Sequence, residues 1–88
     1  MQVIFSDAFN RELDKLKDKR LKEKLALVIE ELERAASLNE IRNLKRLQGY
    51  RHHYRIRLGD YRLGIYDYGT RIEIAHFLNR KDIYKRFP

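Results

Sequence analysis

Three stretches in the second half of the chain alternate in polarity with a period of two, and they leave little choice of fold. Tyr54, Ile56 and Leu58 alternate with His53, Arg55 and Arg57, the pattern of a strand with one buried face. Gly59-Asp60 then predicts a tight turn, with glycine at the first central position as a type II′ turn requires. A second strand is expected from Tyr61 to Tyr68, with Leu63 and Ile65 on one face and Arg62, Gly64 and Tyr66 on the other. After Gly69-Thr70 a third runs from Arg71 to about Leu78. It places Ile72, Ile74, His76 and Leu78 on one face and Arg71, Glu73, Ala75 and Phe77 on the other. Two tight turns in succession make an antiparallel meander whose apolar face needs a cover.

The first half of the chain supplies that cover. Val3-Ile4-Phe5 reads as a short strand, and Ser6 as the N-cap of a helix running through Asp7 to about Lys17. Phe9, Leu13 and Leu16 form one apolar stripe on it, while Arg11, Glu12, Asp14 and Lys15 are expected to face water. A second helix begins near Asp18 or Lys19 and carries Leu21, Leu25, Val28, Leu32 and Ala35 on its stripe. The short turn between the two predicts a helical hairpin. Ser37 to Gln48 reads as a polar connector with a turn of helix, ended by Gly49, and Asn79 as the cap of a short last helix in which Ile83 and Phe87 dock. The expected fold is therefore α+β. An N-terminal strand and helical hairpin pack on one face of a small, mostly antiparallel sheet, followed by a short C-terminal helix. With 88 residues there is room for one core, so residues 1–88 are read as a single domain.

Net charge is +7, and it is unevenly placed. Residues 1–48 hold 11 Lys or Arg against 9 Asp or Glu, whereas residues 49–88 hold 9 against 4, together with all six tyrosines. Seven of those nine cations are arginines, whose planar fork suits phosphate oxygens and stacks on bases. A polyanion, nucleic acid first, is the partner this bias points to. The chain has no cysteine, hence no disulfide and no thiolate metal site. No stretch approaches the roughly 20 apolar residues of a membrane span, and the N-terminus lacks a basic segment followed by an apolar run. A soluble cytoplasmic protein without membrane partners is expected.

If Tyr54, Ile56 and Leu58 face the helical hairpin, pleating puts Arg51, His53, Arg55 and Arg57 on the opposite, uncovered face. Arg62, Gly64 and Tyr66 join them from the paired strand, with Gly64 expected to leave a shallow trough. Arg80 and Tyr84, four apart on the last helix, share one side of it and can lean over that trough. His52 and His53 point to opposite faces and are poorly placed to share an ion, so no metal and no cofactor are expected. His76, among apolar neighbours, reads as a hydrogen-bonded core histidine rather than a catalyst.

Tyr54-Arg55-Ile56-Arg57-Leu58, then Tyr61-Arg62-Leu63, then Arg80-Lys81-Asp82-Ile83-Tyr84 resemble the core motifs of RelE-type toxins of the RelE/ParE superfamily. The helical hairpin ahead of them is similar too. The resemblance implies the toxin of a type II toxin–antitoxin system, a ribosome-dependent endoribonuclease (mRNA interferase) that cuts messenger RNA by attack of the 2′-hydroxyl on the phosphodiester. It implies catalytic roles for Arg55, Arg57, Arg62, Arg80 and Tyr84 in phosphate binding, transition-state stabilisation and proton transfer. Arg51, His53, Tyr66, Lys81 and Lys85 are expected to hold the surrounding RNA. Such chemistry needs a base for the 2′-hydroxyl, an acid for the leaving 5′-oxygen and cations around the phosphorane. Tyr84 is the favoured base, because nearby cations stabilise a phenolate. The implied partners are a cognate antitoxin, the ribosome and mRNA, with DNA met only through the antitoxin complex.

The chain departs from the family pattern in two ways. Relatives often carry lysine where it has Arg55 and Arg57, and arginine hardly deprotonates. Many also have a Gly-His step before the closing arginine, where this chain has Leu78-Asn79. Two alternatives stand beside the nuclease: a ParE-like non-enzymatic inhibitor of DNA gyrase, and a catalytically inactive RNA-binding module.

Overall fold

The computed structural model describes residues 1–88. Its elements run β1 (Gln2–Phe5), α1 (Asp7–Lys15), α2 (Lys19–Arg34), a 3-10 turn at Leu38–Glu40, β2 (Leu44–Arg46), β3 (His53–Leu58), β4 (Tyr61–Asp67), β5 (Arg71–Asn79) and α3 (Arg80–Arg86). The five strands form one sheet in the order β1-β5-β4-β3-β2. Only β1 and β5 pair in parallel; the other three pairings are antiparallel. The α+β architecture expected from the sequence is the one observed.

The turns follow from backbone chemistry. Leu58 pairs with Tyr61 across a two-residue turn in which Gly59 has a φ of 57° and Asp60 is not in the positive region. That is the φ pattern of a type II′ hairpin, whose twist matches the strands it joins. Ser6 accepts from the Phe9 amide and caps α1, and its hydroxyl also donates to the Ala75 carbonyl at 2.6 Å. One side chain thus starts the helix and fixes it to β5. Asp18 caps α2 by accepting from the Leu21 amide. The helical stripes and one sheet face then close on a single cluster: Phe9, Leu16, Leu25 and Leu32 from the helices meet Ile56, Leu58, Leu63, Ile65, Ile72, Ile74 and Phe77. At about 25 cal/mol per Å² of apolar area removed from water, this cluster is the main source of stability.

Four local expectations are corrected. The connector contains a fifth strand, β2, antiparallel to β3 and flanked by bonds from Arg57 N–H to the Asn43 carbonyl and from Leu47 N–H to the His53 carbonyl. Asn43 turns the chain into it with a φ of 62°, a region asparagine enters more readily than most residues. Second, the register shifts between Gly64 and Ile65, which pair with His76 and Ile74 and leave Ala75 unpaired. The bulge reverses the alternation, so Phe77 joins the core while Ala75 and Leu78 pack on the other side, against Leu47, Ile83 and Phe87.

Third, the Gly64 trough is filled by the Phe87 ring. The face opposite the helices is thus covered at its centre by α3 and open only at its ends. Fourth, Glu12 does not face water. Its carboxylate sits 2.7 Å from Nδ1 of His76 and accepts from the Phe77 amide at 2.8 Å, serving the stretch of β5 beyond its pairing with β1. His76 is accordingly a hydrogen-bonded, half-buried histidine engaged by α1.

Candidate functional site

Residues directly opposite each other in a sheet point to the same face. On the face away from the helical hairpin the register therefore gathers two rows. Lys45 lies opposite Arg55, which lies opposite Gly64. One pleat further along, Arg57 lies opposite Arg62. Tyr84 closes the group from α3. Together with Asn43 and Leu44 these side chains line a cleft of about 380 Å³.

The cleft holds four cations and no carboxylate. Lys45 against Arg55 and Arg57 against Arg62 are like charges directly opposed across strands, an arrangement that costs stability. An anion set between them reverses the sign of that cost. A larger cleft of about 500 Å³ lies between α1 and α3, but it mixes Arg11, Lys15, Lys85 and Arg86 with Glu12 and Asp82. The smaller cleft is the one with a single sign of field.

Each wall is held by a visible contact. The Arg62 guanidinium donates to the carbonyls of Gly59 at 2.8 Å and Tyr61 at 2.9 Å, which fixes its fork over the β3–β4 turn. The Arg55 guanidinium carbon stands 4.9 Å from the centroid of the Tyr84 ring, a cation–π contact that orients both. Tyr84 is 69 % exposed, so its remaining surface is free for a ligand. The helix carrying it is anchored at its start, where Asn79 accepts from the Lys81 amide and Arg80 N–H donates to the Asp60 carbonyl. At its end it is held by buried Ile83 and Phe87.

The other expected site residues are dispersed. Arg80 and Lys81 are exposed on the first turn of α3 and do not line the cleft. Lys85 is displaced to the α1 side of the helix, in the mixed-charge cleft, because Ile83 and Phe87 must face the sheet. His53 and Tyr66 are opposite each other and belong to an aromatic group beyond Phe87. His53 lies 5.0 Å from Tyr50, 4.8 Å from Tyr66 and 5.4 Å from Phe87, centroid to centroid. Its burial there, and then the neighbouring His52, push its pKa below the ordinary value. Arg51 is exposed just before β3. Asn43, Leu44 and Lys45 are the lining residues that sequence reasoning missed. Their signal is a three-residue strand, too short to show a period.

The helical hairpin behind a mixed sheet superposes on chains solved in toxin–antitoxin complexes. The toxin–antitoxin complex RelB-RelE from Methanococcus jannaschii contains a chain that superposes with a TM-score of 0.82 at 35% identity, covering 97% of this chain and 99% of that one. In the RelBE2 complex of Mycobacterium tuberculosis the values are 0.60 and 28%, with 90% and 96% covered. YafQ from E. coli shares the fold with a TM-score of 0.66 at 11% identity, over 94% of this chain and 97% of that one.

In sequence, the chain is 37% identical over 89 residues to Toxin RelE3 of Methanocaldococcus jannaschii, with all of both chains covered. Residues 3–84 match the family model described as ParE toxin of type II toxin-antitoxin system, parDE. The chain belongs to this RelE/ParE family of type II toxin–antitoxin toxins.

Proposed function

We propose that this toxin is a ribosome-dependent endoribonuclease that cuts messenger RNA by attack of a 2′-hydroxyl on the adjacent phosphodiester. One observation carries the reading: two like-charge pairs directly opposed across strands, in a cleft without a carboxylate and beside an exposed tyrosine. A phosphodiester passing to a phosphorane gains negative charge where these cations point, which is the condition for electrostatic catalysis. Arg55, Arg57 and Arg62 hold the phosphate, and Tyr84 accepts the 2′-hydroxyl proton. Arg80 and Lys81 on α3, Arg51 before β3, and His53 and Tyr66 in the aromatic group beyond Phe87 bind the RNA outside the cleft. Lys85 contributes only through long-range field from the α1 side. The ribosome supplies the alignment of the message that a chain of this size cannot provide, and the site of action is then the cytoplasm.

The relatives in the M. jannaschii and M. tuberculosis structures are held in complexes with antitoxins. A cognate antitoxin is the partner proposed here as well, with DNA reached only through that complex. The description of the family model as a ParE toxin favours a second reading, non-enzymatic inhibition of gyrase. Such an inhibitor has no need of the Arg55, Arg57, Arg62 and Tyr84 constellation. Primer-extension mapping of transcripts after induction tests the choice. Cuts within translated regions that disappear in Tyr84→Phe support the nuclease, and intact transcripts with altered plasmid supercoiling support the gyrase reading. An inactive RNA-binding module would give neither.

A further inference from the structure

We infer that Lys45, entering the cleft from β2, is the general acid that protonates the leaving 5′-oxygen, an assignment that rests on the nuclease reading above. The contents of the cleft restrict the choice of acid. Its lining side chains are Asn43, Leu44, Lys45, Arg55, Arg57, Arg62 and Tyr84. Cleavage by an internal hydroxyl requires one group to take a proton and another to give one. Asparagine and leucine do neither, and arginine keeps its proton throughout the accessible pH range. Two residues are left, Lys45 and Tyr84. The histidines do not change this count. His76 is bound to Glu12, His53 is packed among Tyr50, Tyr66 and Phe87, His52 lies beside Tyr66, and none of the three lines the cleft.

The register places Lys45 well for the role. It stands directly opposite Arg55, so the two Cβ atoms are about 4.5–5.5 Å apart on the same face, while Tyr84 meets Arg55 from above. Lys45 and Tyr84 thus both adjoin one arginine, so a phosphate bound to that arginine would lie beside both. A lysine ammonium has three N–H donors and no acceptor, which suits the donor. In the step itself Tyr84 enters as its phenolate and takes the 2′-hydroxyl proton as the 2′-oxygen forms its bond to phosphorus. The bond from phosphorus to the 5′-oxygen breaks as that oxygen takes a proton from the Lys45 ammonium. The products are a 2′,3′-cyclic phosphate and a 5′-hydroxyl. Exchange with water then returns one proton to Lys45 and removes one from Tyr84, with no oxidation and no other reactant.

A sulfur leaving group tests this, because a thiolate departs without being protonated. Ribosomes programmed with a short message carrying either a normal linkage or a bridging 5′-phosphorothiolate at the cut are mixed with wild type, Lys45→Met, Lys45→Arg and Tyr84→Phe under single-turnover conditions. Lys45→Met is expected to cleave the oxygen linkage about 10²- to 10⁴-fold more slowly and the sulfur linkage at close to the wild-type rate. Lys45→Arg should be equally slow on oxygen, since it keeps the charge but releases no proton. Tyr84→Phe should be slow on both. Comparing two substrates on one variant removes any loss of folded protein from the ratio. Equal defects of Lys45→Met on both linkages overturn the assignment and leave Lys45 a phosphate ligand. A wild-type rate for Lys45→Arg on oxygen overturns it, as does sulfur rescue of Tyr84→Phe in place of Lys45→Met. Wild type that cuts neither linkage overturns the nuclease reading itself.

Discussion

Phe87 lies so close over Gly64 that a β-carbon there would stand 2.9 Å from both Cδ2 and Cγ of its ring. Gly64 is the seat of α3 on the sheet, and Tyr84 is carried on α3. Gly64→Ala should therefore force the buried ring outward and lower stability by about 1–3 kcal/mol, the usual cost of overpacking. Urea denaturation measures it. Cleavage should fall with it although no cleft side chain is altered, and an unchanged midpoint would show that Phe87 gives way freely.

The opposed cations make a prediction of unusual sign. Arg57 faces Arg62 across β3 and β4, so Arg57→Thr removes a like-charge pair and puts a good strand former in its place. Stability should rise by about 0.2–1 kcal/mol, the gain shrinking as salt is added, while cleavage is lost. Thermal melts at low and high ionic strength follow both effects. A destabilised variant at low salt would mean that the repulsion between Arg57 and Arg62 is already relieved within the protein.

Glu12 serves two donors at once, the ring of His76 and the Phe77 amide. Glu12→Ala leaves both without a partner in a half-buried place and should cost about 1–3 kcal/mol. Glu12→Gln retains an acceptor oxygen for the Phe77 amide and should cost less. Equal losses for the two variants would assign the effect to packing of the α1 side chain rather than to its hydrogen bonds.

Burial, and then His52, hold the pKa of His53 below the ordinary 6.5. Between that lowered value and 6.5 the unfolded chain binds more protons than the folded one, so stability rises with pH across the window and is lost as pH falls through it. Urea midpoints between pH 5 and 8 should show that acid-side decline, and His53→Gln should flatten it. A slope that survives His53→Gln would belong to another group.

Much of this protein was legible in its order of residues. The alternation around Ile56 and Leu63 and the helical stripes through Phe9, Leu25 and Leu32 place both covers of the core, because burying apolar area depends on periodicity that a sequence displays. The same alternation puts Arg55, Arg57 and Arg62 on one face. What periodicity cannot carry is register. The bulge at Ala75 moves Phe77 into the core, and it is set by how β5 fits β4 and by the hold of Ser6 and Glu12 from the helix, contacts 64 to 69 residues away in the chain. Strand β2 has three residues and exists because β3 offers it an edge to bond, so the placing of Lys45 beside Arg55 was decided by pairing alone. The filling of the Gly64 trough by Phe87, which divides the basic face into a cleft and an aromatic group, is likewise a matter of where a short helix comes to rest. The sequence by itself determined most of the core, the class of fold and the sign of the charge. Tertiary structure decided which cations meet, since a pair of like charges is brought together only where the rest of the fold holds them.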